Sequence, residues 1–396
     1  MVSCSYHCDA KDLPLVEEIS RINRGFLCHT GSSINCQTSP LPALELGASA
    51  LLSANPIHGV MNRFQHRTAM TFGTASTKHM YTEIVPRLAL QHEHLLHAVL
   101  ATTILHDRAL AGSLRPTTTE CFHLSRSASL LGQKLSSTIK NEDRDALWAT
   151  AVYLCAMAIF NVNTSDPEEA WPLRLSHPMD FEWLNMQAGL KVIWNLAQVN
   201  RGDGMLATNE NGLEANCVYP DPPKSGIAEV PQVLVDLCNL TQESEFSQSP
   251  YKVAIQHLSV LLPIEGSPHN ILSFMVFAGG MTKEFRELLH EKDHRALLIL
   301  AVWYSKLFHS AWWMSPRARI ECQAICRYLD RLNIRGRAFK VVLQIVKIAC
   351  LHLDSHAALR LLEQSTTIMR STRRASVNST IPDAPTSKSI DIFWDV

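Results

Sequence analysis

Apolar residues recur at spacings of three, four and seven along most of this chain. The clearest case begins at Pro86, which presets φ for a first helical turn. From there Leu88, Leu95, Leu96, Val99, Leu100, Ala101, Ile104 and Leu105 fall on one broad face. That spacing predicts a helix over 86–110. Similar patterns predict helices over 58–72, 119–140, 144–160 and 181–196, and then over 231–242, 248–261, 268–277, 281–290, 294–314, 317–331 and 336–365. The 296–314 run is apolar nearly all round, as a central core helix requires. Asn141, followed by Glu142 and Asp143, reads as a helix start, with a cap residue and acids at the positive end of the helix dipole. No run alternates apolar and polar residues with turns at strand spacing. The expected fold is all-α, a multi-helix layered domain.

Punctuation divides the pattern. Residues 1–42 mix Ser, Cys, Thr and Pro with little periodicity and read as a flexible N-terminal segment. A first helical half occupies 43–197. Residues 198–229, dense in Gly, Asn, Asp and Pro, form an irregular loop, and a second helical half covers 230–366. The Ser/Thr/Pro-rich 367–396 reads as a flexible tail.

Composition narrows the possibilities. The 396 residues are 46% hydrophobic and 18% charged, enough apolar material for a substantial core. Lys and Arg number 36 against 37 Asp and Glu, for a formal charge of −1. That neutrality removes the electrostatic drive behind most nucleic-acid affinity, so DNA is an expected partner only indirectly or through a further N-terminal module. Residues 1–18 lack a basic start followed by an apolar core, which argues against a secretory signal. Lys306 and His309 interrupt the 296–314 run, so no membrane span is expected there. The 11 cysteines then belong to a reducing compartment, and the sequons at Asn163, Asn239 and Asn378 are chance matches.

Candidate chemistry is sparse. A zinc-protease helix needs His-Glu-x-x-His, but the residue four after His92 is Leu96. His94 and His97 share a face without a nearby third acidic ligand in the sequence, so no metal ligands are expected. Cys322 and Cys326 lie one turn apart with no second pair close in sequence and read as half-buried thiols; Cys155 and Cys350, in apolar runs, read as small hydrophobes. No nucleophile elbow, phosphate loop or dinucleotide fingerprint occurs. The expectation is a protein with no catalytic residues and no cofactor, hence not an enzyme. Phe274, Phe277, Trp303, Tyr304, Phe308, Trp312 and Trp313 gather in the second half, either as core packing or as the wall of an apolar ligand cavity. Arg373 and Arg374 before Ser376 resemble a basophilic phosphorylation site. The closing run from Ile390 to Val396 alternates acids with bulky hydrophobes, as short activation segments do, or as a terminus docked on its own domain would.

The order of these segments resembles the regulatory domain of fungal zinc-cluster transcription factors, in the subgroup similar to sterol-uptake-control regulators. Leu44-Glu45-Leu46 and the segment from His58 to Thr68 resemble a divided opening helix of that domain. Val85-Pro86, His94, Leu95-Leu96-His97, Val99-Leu100-Ala101 and Leu105-His106 resemble its second motif. Asn141 with Ala146-Leu147, Phe181-Glu182-Trp183-Leu184 with Gly189, and Leu298-Ile299-Leu300-Ala301 with Trp312-Trp313 follow in the family order over about 44–331. Two features depart from it. Cys4, Cys8, Cys28 and Cys36 are too few and wrongly spaced for the six-cysteine zinc cluster that reads DNA, and Met314-Ser315-Pro316 replaces the usual glycine-rich junction. The resemblance implies a nuclear regulator of secondary-metabolite or lipid and sterol genes that shuttles with the cytoplasm. Its implied partners are a second copy or another transcription factor, and an apolar small-molecule effector. The alternative is an interaction or small-molecule-sensing protein derived from such a regulator that does not bind DNA. Either way, Phe277, Trp303 and Trp313 are expected to border an apolar cavity between the 268–277 and 294–314 helices.

Overall fold

The computed structural model describes residues 55–73, 77–162, 164–197 and 226–351. Among them the chain forms fourteen α-helices with short 3-10 and π turns and no strand, the all-α fold the periodicity implies. The first half contains α1 (Asn55–Arg63), α2 (Val85–Ala89), α3 (Glu93–Leu110), α4 (Thr118–Leu135), α5 (Arg144–Phe160) and α6 (Glu182–Ala197). The second contains α7 (Gln232–Leu237), α8 (Glu243–Gln248), α9 (Lys252–Leu261), α10 (Ile271–Gly279), α11 (Lys283–His290), α12 (His294–Ser305), α13 (Ser315–Leu332) and α14 (Arg337–Leu351). The expected 198–229 loop (but for its last residues), both terminal segments and Ser376 lie outside the described residues.

Helices α3 and α4 form an antiparallel hairpin, and α5 packs on both. Arg108 closes the hairpin turn. Its guanidinium makes two 2.8 Å bonds to the Glu120 carboxylate, with both side chains buried, and donates to the carbonyls of the exposed Ser113 and Leu114. In the second half α12 is the hub: residues 296–304 are fully buried, and α9, α11, α13 and α14 pack around it. One hydrophobic core runs from Phe64 to Ala349, so the two halves share an interior.

Their junction is polar as well as apolar. Arg317 on α13 donates to the carbonyls of Ile159 and Asn161 at the end of α5, at 2.8 and 3.1 Å. It pairs with Glu321 and lies 5.3 Å from the Trp183 ring. Tyr304 donates to the same Glu321 carboxylate at 2.5 Å.

Three expectations need correction. The 86–110 helix is two helices: the first ends at Ala89, and His92 adopts an extended conformation (φ −129°, ψ 107°) as the cap of α3. The apolar stripe skips 91 and 92, so nothing in the core holds those residues helical. The 294–314 helix ends at Ser305. Lys306 is buried with its ammonium on the Leu262 carbonyl at 2.6 Å, and the Ser305 and Ser310 hydroxyls donate to carbonyls three residues back. Residues 306–314 therefore turn instead of continuing. Finally, Asn141 makes no cap; it opens a 3-10 turn, and Asp143, which precedes α5, sends its carboxylate sideways to Lys134 and not to the helix amides.

Candidate functional site

A partly enclosed apolar cavity of about 70 Å3 lies where α5, α6 and α10 meet the Trp313 corner. Phe72 and Tyr81 close one side, Trp148 and Cys155 of α5 form the floor, and Met275 of α10 and Trp313 cover it. Trp313 is stacked on Phe72 with ring centroids 6.3 Å apart. The corner is fixed by its neighbour: Trp312 donates from its indole nitrogen to Thr71 at 2.8 Å and stacks on His106 at 4.3 Å. Ser315-Pro316 forms the first turn of α13, with the Ser315 hydroxyl donating to the Phe308 carbonyl.

The walls hold little polarity, and part of it is unmet. The indole N–H groups of Trp148 and Trp313 are buried without a hydrogen-bond partner. Buried indoles ordinarily find an acceptor, and an orphan donor is costly. Both orphans belong to residues that line the same cavity.

The three aromatic candidates separate. Trp313 borders this cavity. Phe277 and Trp303 do not; they belong to a solid stack in which Trp303 lies between Phe277 (5.2 Å, 23°) and Trp183 (6.1 Å, 5°). The Trp303 indole donates to the Phe274 carbonyl at 2.9 Å, so its polar atom is already used inside the core. Trp148 and Tyr81, which do line the cavity, look in the sequence like ordinary core positions. Only the folding of α5 against Phe72 and the turn that holds Tyr81 brings them to one space.

Titratable groups collect in two further places. At the break before α3, one ring nitrogen each of His92 and His94 and a carboxylate oxygen of Asp143 lie within 4.8 Å of one another. They face an open polar cleft of about 670 Å3 whose wall also holds Lys134 and Glu142. Burial pushes His94 down to about 3, helped by His92 and Lys134, and lowers His92 against the pull of Asp143. The acid missing from the local sequence comes from 49 positions away (143 minus 94), across the α3–α5 contact. His97 instead pairs with His123, Nδ1 to Nδ1, at 2.7 Å.

The second group is a thiol trio. Cys322 and Cys326 on α13 are fully buried, not half-buried, and Cys350 of α14 brings its sulfur to 3.6 Å from Cys322. A thiolate at Cys350 would accept hydrogen bonds from both neighbours beside the Arg319 charge, which lowers Cys350 well below an ordinary thiol. Cys350 is thus more than the small hydrophobe its apolar run implies.

No protein-family model, no curated protein and no solved structure matches this chain.

Proposed function

We propose that this chain is a helical regulatory domain of a transcription regulator, resembling those of zinc-cluster factors, and that it responds to an apolar small molecule carrying a hydrogen-bond acceptor. The observation that carries the ligand reading is the pair of unmet indole donors, Trp148 and Trp313, on one apolar cavity. A ketone or hydroxyl oxygen on an apolar body would satisfy a donor while its carbon skeleton covers Met275 and Leu272. The cavity is smaller than the engineered cavity of about 150 Å3 that accepts benzene. The polar end of a ligand fits as it stands, and a sterol or polyketide ring system requires α10 and the Trp313 corner to part.

The regulatory reading rests on the order of the motifs over 44–331. In that reading the protein works in the nucleus on lipid or secondary-metabolite genes, alone or paired with another factor. The neutral charge supports the second reading, an effector that reaches DNA only through a partner. Gel shift of the purified chain separates the two: tight sequence-specific binding without a partner removes the second.

The ligand reading is tested by thermal melts against sterols and polyketides bearing ketone or hydroxyl groups. At a concentration 100 times Kd, a ligand stabilises the fold by about 2.7 kcal/mol. Trp313→Phe keeps an aromatic ring and removes the donor, so it should weaken ketones more than their hydrocarbon counterparts. If no compound moves the wild-type midpoint, the cavity is a packing defect and the reading fails. Unchanged expression of every candidate pathway gene after deletion removes the regulatory part.

A further inference from the structure

We propose that His92, His94 and Asp143 form a binding site for a divalent transition-metal ion of borderline softness, zinc foremost. The argument begins with a proton. Thr150 donates its hydroxyl hydrogen to the Ala146 carbonyl at 2.7 Å, one turn back on α5. Its oxygen is then left to accept from His94 Nδ1 at 2.8 Å. The His94 proton therefore sits on Nδ1, and Nε2 keeps its lone pair. That nitrogen is buried with no donor facing it, on a side chain 2% exposed.

This is the arrangement in which metal-binding histidines are held: one nitrogen is fixed by a hydrogen bond to an oxygen, and the other is left bare for the ion. The helix break at 90–92 is what turns His92 toward Asp143, Nδ1 to Oδ1 at 3.5 Å. That distance matches the edge of a tetrahedral site, about 3.4 Å for ligands at 2.0–2.1 Å from the ion. Two imidazoles and one carboxylate suit zinc, iron(II) or cobalt(II) and are poor for calcium or magnesium. The open cleft beside them leaves the remaining positions to water or a small ligand.

A cation already serves the carboxylate. The Lys134 ammonium lies 3.0 and 3.1 Å from the two Asp143 oxygens, on a side chain 44% exposed that can swing into the cleft. Lysine and metal would compete for Asp143. A ligand role therefore makes removal of Lys134 strengthen metal binding, whereas a purely structural ion pair gives no such gain.

The test is zinc titration of the full chain under reducing conditions by calorimetry, with circular dichroism confirming the fold of each variant. Asp143→Asn and His94→Gln should each lose one equivalent of zinc. Thr150→Val should weaken that equivalent about 10–100-fold, the usual effect of removing an outer partner of a ligating histidine. Lys134→Gln should tighten it by at least about tenfold, and this result stands even if Asp143→Asn fails to fold. Cobalt(II) bound to that equivalent should show a nitrogen and oxygen ligand field without thiolate charge transfer. The proposal is overturned if Asp143→Asn retains full stoichiometry while Cys322→Ser loses it, which would place the zinc on the thiols. It is equally overturned if Lys134→Gln binds zinc no more tightly than the wild type.

Discussion

Replacing Arg317 should loosen the junction between the two halves more than any other change to a charged group in it. In Arg317→Met the aliphatic bulk stays, but Glu321 loses its ion pair and the carbonyls of Ile159 and Asn161 lose their charged donor. Burial already disfavours the Glu321 charge, and the Tyr304 hydrogen bond at 2.5 Å remains its only described support from that side. Breaking a buried pair from one side costs about 3–5 kcal/mol, chiefly for the charge left behind. At about 1.2 °C per kcal/mol for a chain of this size, the midpoint should fall by roughly 4–6 °C. Arg317→Met with Glu321→Leu removes the stranded carboxyl and should recover part of that loss, since apolar replacements of whole buried pairs are often neutral. Differential scanning fluorimetry with urea unfolding reads both variants. A single-variant loss below about 1 kcal/mol, or a double variant no better than the single, refutes the account of the junction.

Acid should weaken the fold through His94. Its unfolded pKa is ordinary, about 6.5, and its folded value is near 3, so the unfolded chain takes the proton first. The contribution is complete above about pH 6.5 and falls by about 1.4 kcal/mol per unit below it, or about 2 kcal/mol by pH 5. Urea melts between pH 7.5 and 5 should show a shallower slope for His94→Gln; an identical slope contradicts the assignment. Gly266 has no room for a side chain, because a Cβ there would sit 1.6 Å from the Lys306 carbonyl oxygen. Gly266→Ala should cost at least the top of the about 1–3 kcal/mol range for overpacking, and a near-neutral urea midpoint would refute it. At pH 6, Cys350 should react with iodoacetamide well before Cys121, whose thiol is raised by burial and Glu120; mass mapping of a time course checks the order.

The local pattern determined much of this protein. A period near 3.6 residues placed most of the helices from Thr118 onward, and Pro86 marked a start, because these signals depend on neighbours within one turn. The core membership of Leu95 and Leu96 was equally legible, since an apolar stripe must be covered by something; Phe277 and Trp303, expected at a cavity wall, are solid core instead. What covers it is another matter. Trp303 and Trp313 have similar surroundings in the sequence, yet one is locked between Phe277 and Trp183 and the other roofs a cavity with an unmet N–H. The end of α12 at Ser305 depended on a carbonyl at Leu262, 44 residues away. The His92, His94 and Asp143 group needed both a helix break, where the stripe falls silent, and the packing of α3 on α5. Cys350 met Cys322 only because α14 folds back on α13. Helical periodicity is a short-range property of the chain, whereas a site is a coincidence of side chains from distant segments, and only tertiary packing decides which of them meet.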